Sequence, residues 1–523
     1  MRTWTRPLDP LRTTAVLALA VAVLVELLPW VGADLVAQQW WASWAASGGD
    51  QPVDLGWYAG SPAVSYSLLS PWLMSWAGPA VPGVLATVVG ATATTALLRR
   101  AGAVRLVAAG ATAALAFGAD QLSGRTTFAL GLAVGLLALC VAGRRWPPVR
   151  RTVGTAVLAA VAGGLSPVVA VFLGLAAVAW VCGSGRPLRH TADAVALTIG
   201  AGLPLAAMVG LGAAGGPMTG SAHQMAAAVL AALVVVAVLG PDQPVARVGA
   251  GLTAAGLLLA WAVPDPVGSN ATRLVLLFAV PVLVGLARRD RVLVALAAAL
   301  VTWLLPPLVP GDLSPRGGLD DAVARTGSAG LLAELARRGP VGRVEVVPLA
   351  THQESLLADT VPLARGWTRQ LDLARNPVFY DGSLDAGSYL GWLRDRGVSW
   401  VALTDRRPDW AARREATLVR RGVPGLSPVW SDDTWTLYAV DGPGLVLAGD
   451  AVLTGSDRRS VALTAAEVGR VELSLFWSDH LDVTAGDACV APGPTPGTVL
   501  LRVGSPGPVT LSSAWRPRGH CAG

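Results

Sequence analysis

Up to about Leu308 this chain of 523 residues is a row of apolar blocks joined by short connectors; from about Gly311 it carries regular charges. That break constrains the fold more than any motif, because roughly 20 apolar residues suffice to span a bilayer. Blocks at 13–31, 79–98, 102–119, 126–143, 152–164, 167–182, 191–213, 222–240, 246–263, 272–287 and 292–309 predict a multi-pass α-helical membrane protein with about 11 transmembrane helices. Only 14% of residues are charged, against roughly 25% in soluble domains.

Arginine placement supplies a topology. The chain has no lysine, so every cation other than histidine is arginine. Arg2, Arg6 and Arg12 place the N-terminus in the cytoplasm. Alternating spans then put Arg99, Arg100, Arg105, Arg144, Arg145, Arg150, Arg151, Arg186, Arg189, Arg247, Arg288, Arg289 and Arg291 on the cytoplasmic side, and only Arg125 and Arg273 in the outer loops between spans. A single kinked helix over 152–182 would invert every later loop, so the break at Gly163-Gly164-Leu165-Ser166-Pro167 reads as a boundary between two helices. The basic start shows no clear cleavage site and reads as an uncleaved helix. The net charge of +6 belongs to these loops; no nucleic-acid motif accompanies it.

The segment Ala33–Pro71 then lies outside, as does everything after about Val309. It is long and aromatic, with Trp40, Trp41, Trp44, Trp57, Tyr58 and Tyr66, where a plain connector is short and polar. Asp34 directly follows the first span. A carboxylate there is either a general base for an acceptor hydroxyl or a cap of the Leu35–Ala46 helix, which reads as an amphipathic helix in the interface plane. Asp50 and Asp54 read as solvated turn residues. Arg125 and Arg273 stand at outer helix ends, suited either to gripping a phosphate or to snorkelling and pairing with Asp120 or Asp265. Asn270 and His223 share that face. No zinc spacing, phosphate-cradling glycine loop or nucleophile elbow occurs.

Asp34, the Trp57-Tyr58-Ala59-Gly60 and Tyr66…Ser70-Pro71 run, Ser123-Gly124-Arg125 and Gly268-Ser269-Asn270…Arg273 together resemble the GT-C class of membrane glycosyltransferases, most of all its divergent bacterial YfhO-type members. The resemblance covers about 1–310 plus a similar external tail. It implies transfer of a sugar from a polyprenyl-phosphate donor to a cell-envelope glycan or lipid acceptor at the outer face of the cytoplasmic membrane. Asp34 would be catalytic, and Arg125, Arg273 and Asn270 would bind the donor phosphate. Trp57, Tyr58, Tyr66, Asp120 and His223 would line the substrate. Many members carry two adjacent acids in the first loop; here Asp34 stands alone, which puts dependence on a divalent metal (Mg or Mn) in question and leaves open a non-catalytic scaffold or sensor of envelope assembly. A transporter of lipid or polymer precursors is a further alternative, although its site would lie at the bilayer midplane.

Three domains are expected: 1–310 transmembrane and GT-C-like, 311–440 an extracytoplasmic α/β unit, and 441–523 an extracytoplasmic β-sandwich. Strands are predicted at Arg343–Pro348, Val398–Leu403 and Thr434–Val440, with a helix over Asp385–Arg396. Short alternating runs at Val461–Thr464, Arg470–Trp477, Thr498–Val503 and Pro508–Ser512 predict the sandwich. Cys489 and Cys521 form either a disulfide suited to an oxidising compartment or two free buried thiols.

Overall fold

The structure, a computed structural model, describes residues 9–47, 49–64, 66–185, 187–213, 215–218, 220–305, 313–317, 319–339 and 342–521. Arg2 and Arg6 lie outside the described residues. Two compact units emerge: Met1–Gln38, Tyr66–Leu211 and Pro217–Leu313 form one, and Gln39–Ser65, Gly212–Gly216 and Ser314–Gly523 form the other.

The first unit is helical. Its elements are α1 (Pro10–Leu27), the start of α2 (Asp34–Ala46), α3 (Ser70–Ala77), α4 (Ala80–Arg100), α5 (Leu106–Leu122), α6 (Thr126–Val141), α7 (Pro148–Leu165), α8 (Pro167–Gly183), α9 (Pro187–Gly210), α10 (Ala222–Val238), α11 (Pro244–Ala262), α12 (Arg273–Leu286) and α13 (Arg291–Leu304). Every apolar block has become a helix. Five helical stretches are long and apolar enough to cross a membrane: Pro10–Leu27, Ala80–Arg100, His190–Gly210, Pro244–Ala262 and Gly268–Leu286. Helices α5, α6, α8, α10 and α13 are apolar but shorter, and α7 carries Arg150 and Arg151 in its first turn. α7 and α8 are separate helices: Ser166 is extended (φ −149°, ψ 116°), the conformation that the following Pro167 imposes on its predecessor.

Small residues let these helices approach, as expected where lipid removes the hydrophobic drive between them. A Cβ at Gly90 would stand 2.2 Å from the Phe117 ring. On α7 and α9, Gly163 and Gly200 face the carbonyls of Ala201 and Ala156, where a Cβ would come to 2.4 Å of either oxygen.

The second unit is strand-rich. A four-stranded sheet runs Val344–Val346, Trp400–Thr404, Trp435–Val440, Leu426–Ser431; the first pair is parallel and the others antiparallel. Helix Ala386–Asp395 packs in the same core, its start fixed by an Asp385/Ser388 capping box. Two further four-stranded sheets share one apolar core as a β-sandwich: Ala451–Ser456, Val461–Ala465, Gly507–Ser513, Leu481–Ala485 on one side, and Ala488–Pro492, Val499–Val503, Gly469–Leu473, Val446–Ala448 on the other. Cys489 and Cys521 are disulfide-bonded.

Residues 39–65 build into this second unit. Val53, Leu55 and Ala59 join the sandwich core. Trp40 stacks on Trp57 at 4.6 Å, and the Arg458 guanidinium lies 3.8 Å from the Trp40 ring. The reading of α2 as an interfacial amphipathic helix is therefore corrected. Trp40, Trp41 and Trp44 are all buried, so the helix has no exposed aromatic face to lay on a membrane surface. Asp54 is corrected likewise: it is fully buried, accepting 2.7 Å from Arg458. Burial raises its carboxyl, against the pull of Arg458.

Candidate functional site

One interacting group of charges in the helical unit is built on three turns. The first is the start of α2, which carries Asp34 and Gln38. The second is the α5–α6 turn Ser123-Gly124-Arg125. Gly124 has φ +81°, and a Cβ on it would meet the Gly32 carbonyl at 2.6 Å and the Leu35 nitrogen at 2.7 Å. Only glycine lets the turn seat so closely. Gln38 then clamps it, donating to the Gly124 carbonyl and accepting from the Thr127 backbone N–H at 2.7 Å. With the turn fixed, Arg125 Nε lies 2.8 Å from Asp34 Oδ2. The third is the 3-10 turn Gly268–Thr272, which carries Asn270 and leads into Arg273 at the start of α12.

Arg273 interacts electrostatically with Arg125, Asp34, Asp120 and Tyr66. The five groups therefore form one cluster. Among the described residues Arg273 makes no hydrogen bond from its guanidinium; it rests 4.8 Å from the centre of the Phe128 ring. Asp120 is 7% exposed, and its Oδ2 is buried without a partner. Tyr66 lies within hydrogen-bonding reach of the Thr127 side chain, and burial raises its phenol. The cluster thus holds one engaged acid–base pair, Asp34 with Arg125, beside one cation and one carboxylate oxygen that no side chain satisfies.

Other expected site residues lie elsewhere. His223 is exposed in the first turn of α10. Trp57 and Tyr58 belong to the second unit and are fully buried. Trp57 Nε1 donates 3.0 Å to the Ser355 carbonyl, and Tyr58 donates 2.5 Å to that of Gly366. Rings with 0% and 1% exposure offer no face to a sugar, so the expected lining role gives way to packing. Among the described residues no group of three His, Cys, Asp or Glu is placed to hold a metal ion. With Asp34 engaged by Arg125 and two arginines beside Asp120, the donors present do not suit Mg or Mn. Gln38 was missed in the sequence, where a glutamine in an aromatic helix carries no signal.

No family model matches the chain, and no curated protein matches it. Among solved structures, the cryo-EM structure of an arabinofuranosyltransferase, AftD, from mycobacteria is similar at 16% identity and TM-score 0.45, covering 96% of this chain and 60% of that one. The chain therefore spans less than two thirds of that protein, and a likeness this distant carries no argument about activity.

Proposed function

We propose that the chain is a GT-C-type membrane glycosyltransferase of the cell envelope, with all eleven apolar helices crossing the bilayer and the tail outside. The donor is a sugar on a polyprenyl phosphate, and the acceptor is an envelope hydroxyl. The observation that carries this reading is the cluster itself: an oriented carboxylate at Asp34 next to Arg273, a cation with no acceptor of its own among the described residues. In the reaction the acceptor O–H gives its proton to Asp34 while its oxygen bonds to the anomeric carbon. The bond from that carbon to the phosphate oxygen breaks, and the electron pair leaves with the lipid phosphate. Arg273 receives the charge that grows there, with Asn270 one turn before it. Arg125 is already committed, so its part is to hold Asp34 in position. Preorganised donors of this kind contribute about 10²–10³ in rate each, and a positioned base about 10²–10⁴.

The test is transfer from a radiolabelled polyprenyl-phosphate sugar by the purified protein. Asp34→Asn is expected to lower the rate by about 10² or more with expression and melting unchanged. Full activity in that variant removes Asp34 from the reaction. Donor binding without turnover in the native protein points instead to a scaffold.

A further inference from the structure

A cavity of about 640 Å³ lies inside the helical unit, and none of the five residues of the charged cluster lines it. Its walls come from α4, α6, α8, α10, α11 and α12, with His190 of α9, and they are apolar along nearly their whole length. Along α12 it runs from Leu274 to Leu286, roughly 18 Å at about 1.5 Å per residue. One leaflet of a bilayer core is about 15 Å deep, half of roughly 30 Å.

The exposed lining residues are Arg100, Ala101, Gly143 and Val245, and all sit at the end formed by the last residue of α4, the turn after α6 and the first turn of α11. That end is the mouth. The acids around it are already neutralised. Asp193 accepts from Arg151 at 2.9 Å and from the Gly143 backbone, and Asp242 is paired with Arg288. Gln243 donates 3.3 Å to the Ala101 carbonyl, and His190 stacks on Trp180 at 4.7 Å. Arg100, exposed at the rim, has no carboxylate partner among the described residues.

We propose that this cavity is a lipid site separate from the charged cluster, holding one hydrocarbon tail of an anionic phospholipid with its phosphate on Arg100. A dry channel of leaflet depth suits a tail. An exposed cation at its mouth, with the neighbouring acids spent, selects a negative headgroup. The lipid comes from the leaflet that faces the arginine-rich loops. It requires no transferase activity, so it stands or falls apart from the function proposed above.

The test is native mass spectrometry of the full-length protein taken from nanodiscs of equal palmitoyl-oleoyl phosphatidylglycerol and phosphatidylcholine. The native protein is expected to retain phosphatidylglycerol in excess. Arg100→Gln should lower that preference about fivefold, the worth of one basic residue near an anionic lipid. Ala250→Trp on α11, with Ala176→Phe on α8 as a second filling variant, should abolish retention of both lipids at unchanged melting temperature. Equal retention of the two lipids by the native protein overturns the headgroup assignment. Undiminished retention in both folded filling variants overturns the site.

Discussion

Arg365 and Arg273 are both arginines set among carboxylates, one in each unit, and their surroundings differ in access. Arg365 is sealed: 4% exposed, it donates 2.6 and 2.9 Å to Glu345 Oε1 and also to Glu415, with the Phe379 ring 3.7 Å beneath it. Burial pushes both glutamates up, and the guanidinium between them opposes it. The cavity beside this network holds about 10 Å³, room for about one water. Arg273 has no such partner, and its neighbours Asp34 and Arg125 are about one third exposed. Buried charge alone therefore does not mark a site; charge with an open valence and a way in does.

The sharpest way to break this contrast is to remove each arginine. Arg365→Met strands two buried carboxylates, a loss of about 3–5 kcal/mol, read as a large drop in the denaturant midpoint of the purified chain. An unchanged midpoint would mean that the network is not structural. Arg273→Met should do the reverse, with transfer falling about 10²–10³-fold and the denaturant midpoint moving much less than in Arg365→Met. If instead it unfolds the protein, Arg273 belongs with Arg365 and the contrast fails.

Gly124→Ala probes the seating of the turn. Forcing a Cβ into the left-handed region costs about 1–2 kcal/mol, and the clash with Gly32 should also spoil the Asp34–Arg125 contact. Activity should therefore fall more than melting does, and a loss in melting alone would detach the turn from the chemistry.

The smallest effect is expected at His352, stacked 3.5 Å from Trp367 and flanked by Glu354 and Asp409. Burial lowers this imidazole, yet the two carboxylates outweigh burial and leave it raised. A raised histidine stabilises fully below its unfolded value of about 6.5 and loses that contribution as pH climbs through the folded value. Melting temperature should thus decline above pH 6.5, and His352→Gln should flatten the decline. An identical slope in the variant removes His352 as the cause.

The sequence disclosed what depends on local pattern. Helix boundaries followed the apolar blocks, the Ser166 break followed from Pro167, and alternating runs marked the strands. Asp34, Arg125 and Arg273 could be placed on one face because loop parity is counted along the chain. Pairing across hundreds of residues could not be read. Asp54 looked solvated because nothing nearby in sequence announces Arg458. Glu345, Arg365 and Glu415 looked like ordinary charges of a soluble tail. The aromatics of 39–65 looked like a ligand surface because exposed and buried tryptophans share one letter, and their partners lie three hundred positions on.

That separation bears on how the protein is made. Trp57 bonds to Ser355, 298 residues later, Arg375 donates to the carbonyls of Tyr58 and Gly60, and the Phe476 amide to that of Ala59. At about 5–20 residues per second, this tryptophan-rich stretch waits roughly 15–60 s of synthesis for the chain that will cover it. The second unit therefore cannot close domain by domain as translation proceeds. A ribosome that stalls between the two halves leaves Trp40, Trp41, Trp44 and Trp57 bare.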